Sequence, residues 1–273
     1  MNTGTKQSAK ARLGPLEQRF LSYAQLKNLS PVRFGQLRRV LELTADQERK
    51  LLSRLARGGT IVRLKRGVYL VPPRLPLGGV WNPGETVILR ELMRACDNGR
   101  CQFCGWPVFN RYGFTEQVPA RISVYNNRIY GPRVIAGREF TFIKVAERRL
   151  GGTEKSRTPG GEESLMPTRA RALVDAVVDW SRFGTLPEAF GWIRDSIDED
   201  PSLAAGIADA AARFGNQGAI RRIGYLLDRG ELPKAARDRL RRKLRSAKSI
   251  IPLVPSRPAR GPVNPDWGVI ENE

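Results

Sequence analysis

Histidine is absent from this 273-residue chain. Without an imidazole there is no Ser-His-Asp or Cys-His nucleophile system and no histidine metal ligand. The side chain that most readily exchanges protons near neutrality is missing as well. Cysteine is scarce: three residues, an odd number, make no disulfide framework and fit a reducing compartment. No apolar run reaches the roughly 20 residues that a membrane-spanning helix needs. The opening stretch, MNTGTKQSAKAR, is basic and polar and lacks the apolar core of a secretory leader. A cytoplasmic location without membrane contact is therefore expected. Acid is also in short supply. Asp and Glu number 27 against 47 Lys and Arg, a net charge of +20. An excess of that size fits a nucleic acid or another acidic surface as partner.

Catalytic patterns are missing too. Gly151-Gly152 and Gly160-Gly161 are not followed by the Lys-Ser/Thr of a Walker loop. The consecutive acids Asp198, Glu199 and Asp200 precede Pro201 and read as a helix junction, not as a paired carboxylate site. No enzyme activity and no cofactor are expected.

What is present is unevenly spread. Residues 1–72 hold 15 Lys and Arg against 4 Asp and Glu. Pro and Gly concentrate in VPPRLPLGGVWNPGE (71–85), which reads as a domain boundary. GGTEKSRTPGGEES (151–164) reads as a loop or linker. IPLVPSRPARGPVNPDWGV is too rich in Pro to be a helix. These breaks divide the chain into segments 1–73, 80–150 and 165–273.

Within the first segment Leu16, Phe20, Tyr23 and Ala24 recur at helical spacing, and a short second helix is predicted over 34–41. A third runs from Thr44 to about Arg57, with Gln47 in the place of a capping-box partner. A ribbon over 60–64 and 67–71 completes a winged helix-turn-helix. The middle segment mixes a helix over 85–95 with strands near 121–127 and 139–145. From 168 onward the pattern is helical, beginning with the stripe Leu173, Val174, Val177, Val178. Pro187 and Pro233 suit first helical turns and Gly230 a C-terminal cap. The fold class is α+β: a winged helix, a mixed segment with a small sheet, and a mainly helical C-terminal part.

The third helix separates into two faces. Leu51, Leu52, Leu55 and Ala56 point toward a core. Asp46, Arg49, Lys50, Ser53, Arg54 and Arg57 lie opposite, flanked by Gln47. Such a helix fits the major groove, where Arg or Lys reaches guanine and Gln reaches adenine. On the ribbon, strict alternation puts Ile61, Arg63, Lys65 and Gly67 on one side and Val62, Leu64, Arg66 and Val68 on the other. Arg63, Lys65 and Arg66 would then face the DNA backbone. The rival reading is a solvated charged face.

Cys101 and Cys104 have the spacing of a zinc half-site, with Cys96 as a third ligand and no histidine for a fourth. Idle thiols are the other reading, and no metal is assigned. Residues 234–248 carry eight cations and one acid beside an apolar seam of Leu232, Ala236, Leu240 and Leu244. They read either as a docked surface helix or as a second site for an acidic partner.

Five ordered stretches resemble the AbiEi family of antitoxins. LLSRLARGGTIVRLKRGVYLVP is similar to the family's wing, and GWPVFNRYGFTEQVPARISVYNN to its middle segment. MPTRARALVDAVVDWSRF resembles its helical signature. GAIRRIGYLLDRG and NPDWGVIENE resemble its last helices and closing strand. The likeness spans roughly residues 15–273. It departs from the family where TRARALVDA lacks the acid of the usual PERALLDA, and in the cysteine-bearing insert at 96–104.

The resemblance implies an antitoxin of a type IV toxin–antitoxin or abortive-infection system. Its winged helix would bind inverted repeats of double-stranded DNA in its own operator, two copies per site, and repress the operon. Its C-terminal part would counter a nucleotidyltransferase toxin. Carried onto this chain, the DNA readers are Gln47, Arg49, Lys50, Ser53, Arg54, Arg57, Arg63, Lys65 and Arg66. Arg171, Leu173, Val174 and Asp175, with Arg221 and Arg222, fall in the helices tied to the second function. The alternatives are a stand-alone transcription regulator with a sensing C-terminal domain, and an enzyme subunit that uses the winged domain to grip DNA.

Overall fold

The computed structural model describes residues 13–157, 161–229, 232–244 and 249–272. The chain divides into two compact units.

The first unit takes in the chain up to Gly99, with 132–140 and a short stretch ending at Glu162. It opens with α1 (Pro15–Leu26), β1 (Val32–Arg33), α2 (Arg38–Leu41) and α3 (Ala45–Arg57). The ribbon β2 (Val62–Lys65) and β3 (Val68–Leu70) follows. Its strands form an antiparallel sheet in the order β1-β3-β2. This order of elements is that of a winged helix-turn-helix. The unit continues through α4 (Glu85–Ala95). The change of unit therefore falls near residue 100, beyond the Pro/Gly-rich stretch where a boundary was expected. The cause is visible in the contacts: α4 packs against β2, and Trp81 N donates to Gly59 O at 2.8 Å.

Each helix of the winged part has a local reason to start where it does. Pro15 occupies the first turn of α1, where its missing N–H is no loss. Thr44 caps α3 by accepting from Gln47 N, and Gln47 Oε1 accepts from Thr44 N at 2.8 Å. Phe20, Leu21 and Ala24 of α1 meet Leu51, Leu52 and Leu55 of α3 in one core, closed by Val32, Tyr69 and Val71. Glu48 is also in that interior at 1% exposed. Its carboxylate accepts from Gly35 N at 2.9 Å and from Arg38 Nε at 3.0 Å. A buried acid thus ties the turn before α2 to α3.

The second unit contains β4 (Cys101–Phe103), α5 (Trp106–Arg111) and β5 (Arg121–Asn126). β6 (Gly131–Ile135) and β7 (Arg138–Lys144) complete a four-stranded sheet in the order β4-β5-β7-β6, with residues 132–140 counted in the first unit. The Gly-rich stretch expected to be a loop instead contains one strand of a hairpin and the start of the other. β8 (Thr153–Arg157) pairs antiparallel with β9 (Glu163–Pro167). β8 has no apolar side chain, which hides it from pattern reading, and β9 alternates only briefly, with Ser164 and Met166 buried.

Six helices follow among the described residues: α6 (Arg169–Val178), α7 (Trp180–Phe183), α8 (Glu188–Glu199), α9 (Leu203–Phe214), α10 (Gln217–Asp228) and α11 (Lys234–Lys243). Thr168 caps α6 and Asn216 caps α10. Pro187 and Pro233 stand at the caps of α8 and α11, one position earlier than expected. The proposed cap Gly230 lies outside the described residues. Leu173, Val174, Ile193, Ile207 and Ile223 are fully buried in a core shared by α6, α8, α9 and α10. A small sheet closes the chain: β10 (Ile251–Pro252), β11 (Val263–Asn264) and β12 (Val269–Ile270), in the order β10-β12-β11. No helix among the described residues is long and apolar enough to cross a membrane.

Leu55 is 2% exposed between α1 and the wing. Leu55→Ala is expected to lower unfolding free energy by about 2–5 kcal/mol, measured by urea denaturation. A loss under about 0.5 kcal/mol would place that side chain at the surface.

Candidate nucleic-acid interface

The faces of α3 are as the periodicity predicts. Leu51, Leu52 and Leu55 are buried, whereas Asp46, Arg49, Lys50, Ser53, Arg54 and Arg57 are exposed. Asp46, Lys50, Ser53 and Arg57 succeed one another at spacings of three or four along the outward line. The charge on this face is moderated from within. Asp46 pairs with Arg49 at 2.8 Å and with Lys50 at 3.3 Å. Arg54 reaches Glu17 of α1 at 2.5 Å. These are mostly exposed pairs, weak enough to exchange for phosphate.

Two of the candidate readers are engaged elsewhere. Gln47 closes the cap of α3, so its carbonyl oxygen is held by Thr44 N. Lys65 is half-buried, and its Nζ donates to Ala95 O at the end of α4, with Cys96 Sγ 3.9 Å away. A lysine at a helix C-terminus satisfies an orphan carbonyl and complements the helix dipole. The strict alternation expected of the ribbon also fails. Ile61 is buried beside Val62 and Leu64, while Arg63 and Arg66 are both exposed. The pairing of β2 with β3 shifts register between Arg63 and Lys65, and a bulge of that kind re-aims the side chains around it. Arg57, Arg63 and Arg66 have no ion pair among the described residues.

The residues carried over to the second function occupy a different environment. Arg171 is 0% and Asp175 1% exposed. Arg171 Nε donates to Asp175 Oδ2 at 2.8 Å, Nη1 to Gly151 O at 3.1 Å and Nη2 to Arg149 O at 2.8 Å. Its guanidinium lies 3.8 Å from the Phe214 ring centroid. Arg149 extends the network to Asp179 at 2.9 Å, which also accepts from Tyr125 Oη at 2.5 Å. Burial raises the Asp175 carboxyl above its ordinary range, against the pull of Arg171. Burial, with Asp175 close behind, pushes the Tyr125 phenol well up.

Arg221 and Arg222 are likewise enclosed, at 5% and 7% exposed. Arg221 Nη1 donates to Ser249 O at 2.6 Å, and Arg222 Nε to Leu253 O at 2.9 Å. All four residues hold the fold together and are covered. Leu173 and Val174 are core as well.

The three cysteines form no disulfide with one another; Cys96 and Cys104 are buried and Cys101 partly so. Burial pushes the Cys101 thiol up to about 12 and Cys104 well above its usual value. Among the described residues no group of three or more Cys, Asp or Glu is placed to hold a metal. On α11, Arg237 pairs with Asp228 at 2.5 Å, Arg241 with Asp266 at 2.7 Å, and Arg239 with Asp209. Leu240 is fully buried. These contacts favour the docked-helix reading.

No family model matches the chain, and no curated protein does either. Among solved structures, the chain is similar to the Rv2827c protein of Mycobacterium tuberculosis. The TM-score is 0.56 at 17% identity, covering 94% of this chain and 92% of that one. At that identity the likeness extends to the α+β fold over nearly the whole length and no further.

Exposed and enclosed arginines should respond differently to truncation. Arg171→Ala is expected to destabilise by about 3–5 kcal/mol, because it leaves the buried Asp175 with Arg149 alone, 3.5 Å away. Arg57→Ala is expected to change stability by less than about 0.5 kcal/mol. Chemical denaturation of the two variants side by side checks both.

Proposed function

We propose that this chain is a DNA-binding antitoxin and autorepressor of the AbiEi kind, from a type IV toxin–antitoxin or abortive-infection system. The observation that carries the DNA-binding half is the outward face of α3. Its cations stand opposite a leucine core, and Arg57, Arg63 and Arg66 are exposed without an acid partner among the described residues. Arginine without a carboxylate partner is suited to phosphate, which it grips with a planar fork of donors. Phosphate contacts by Arg54, Arg57, Arg63 and Arg66 supply affinity, while Lys50, Ser53 and Arg49 reach base edges. Two copies occupy an inverted repeat, each placing α3 in one major groove.

The second half, countering a nucleotidyltransferase toxin, rests on the ordered motifs that resemble the family. Because Arg171, Asp175, Arg221 and Arg222 are enclosed, their part in it is to hold the C-terminal unit in shape. A partner would be met by other, exposed side chains.

Fluorescence anisotropy with a duplex from the chain's own upstream region tests the DNA reading across a salt series. Arg57→Ala, Arg63→Ala and Arg66→Ala combined should weaken binding and make the log-log salt slope shallower by about 2.7, or about 0.9 per lost phosphate contact. Unchanged affinity and slope in a folded triple variant would refute the assignment of these three arginines. No binding by the parent chain at low salt would refute the function.

A further inference from the structure

Between α3 and the wing stands a further cation, Arg38, the first residue of α2. Two contacts fix its guanidinium. Nε donates at 3.0 Å to Oε2 of Glu48, which belongs to α3 and is 1% exposed. The planar group also lies over the Phe34 ring, 4.6 Å from its centroid. Phe34 is in turn joined to the wing turn, because its N donates to Gly67 O at 2.8 Å. Arg38 is thus tied to α3 through Glu48 and to the wing through Phe34.

The carboxylate behind it is fixed as well. Both oxygens of Glu48 accept from Gly35 N at 2.9 Å. A guanidinium has five N–H donors, and Glu48 takes the one on Nε. The Arg38 side chain is still 37% exposed. Its Nη1 and Nη2 have no partner among the described residues, and neither is enclosed. Gly35, at φ +91°, leaves the approach open; a Cβ there would stand 3.8 Å from Nη2. Arg33, next to Phe34, and Arg66, next to Gly67, are exposed without an ion pair among the described residues and add positive potential on either side.

This differs from the pairs on α3. Arg54 must leave Glu17 to take a phosphate with the same edge, whereas Arg38 can keep Glu48 on Nε and present its terminal nitrogens. A planar fork held in this way suits two oxygens of one phosphate. With α3 in a major groove and the wing against the backbone beside it, a sugar–phosphate strand runs between the two.

We propose that Arg38 binds a backbone phosphate of the duplex through Nη1 and Nη2 while Glu48 holds its Nε. The inference rests on the DNA-binding reading and adds to it a contact outside α3 and the wing.

Fluorescence anisotropy of the full chain tests it, with the upstream duplex intact and with single phosphates made neutral as methylphosphonates. Arg38→Ala should weaken binding to the intact duplex by about tenfold. At one position in each half-site a methylphosphonate should weaken the parent chain by a similar factor and leave Arg38→Ala unchanged. At the other contacted phosphates it should weaken both alike. Circular dichroism establishes that the variant is folded; should Arg38→Ala unfold, Arg38→Gln, which offers Glu48 a neutral donor, takes its place. Parental affinity in a folded variant, or equal sensitivity of parent and variant at every phosphate, would overturn the proposal and leave DNA binding standing. No binding by the parent chain would overturn the DNA reading and this contact with it.

Discussion

Arg171 carries a full positive charge into an interior where it is 0% exposed. Removing an ion from water costs several kcal/mol, and only complete hydrogen bonding offsets it. Here each of its three nitrogens donates, to Asp175, to Gly151 O and to Arg149 O, and its face rests on Phe214. The contacts come from α6, from the turn before β8 and from the end of α9. The turn must approach closely: a Cβ on Gly152 would stand 2.8 Å from the Phe214 ring and 3.3 Å from Arg171 Cγ. Helix packing, the turn and the start of the β8-β9 hairpin thus depend on one guanidinium. Asp175 is held next to it at the expense of its own acidity, as its raised carboxyl shows.

Much of this was legible in the sequence where a regular period met a local signal. The α3 helix had both, an apolar stripe and the Thr44-Gln47 cap, and its two faces came out as read. Where a side chain's role is set by a distant segment, periodicity is silent. Lys65 looks like a wing cation until Ala95 O is beside it. Arg171, Arg221 and Arg222 were tied to the second function by the family resemblance, yet each is fixed by carbonyls far away in sequence. One signal was available: each sits among apolar neighbours on a helix that is otherwise buried. Glu48, in line with Leu51, Leu52 and Leu55, gave the same signal. An ionisable residue on a core face predicts a partner there, without saying which. The β8-β9 hairpin gave little sign, because β8 is polar throughout and β9 buries only Ser164, Met166 and Pro167.

The two units divide the chemistry. In the first, charge is displayed outward on α3 and the wing. In the second, much of the charge is neutralised internally by Asp175, Asp179, Asp209, Asp228 and Asp266. The +20 of the whole chain is thus a poor guide to either unit alone. What matters for a phosphate-bearing partner is where the exposed guanidiniums without an acid stand, Arg57, Arg63 and Arg66 among them.

The strand β2 has one more consequence. It lies at the end of the order β1-β3-β2, four residues long, with Arg63 and Lys65 in it and a register shift between them. Outer strands with free backbone groups recruit strands from other molecules. Shortness, cations and a bulge are the features that discourage such recruitment. Arg63, Lys65 and the bulge between them therefore guard a crowded protein against sticking to its own copies edge to edge.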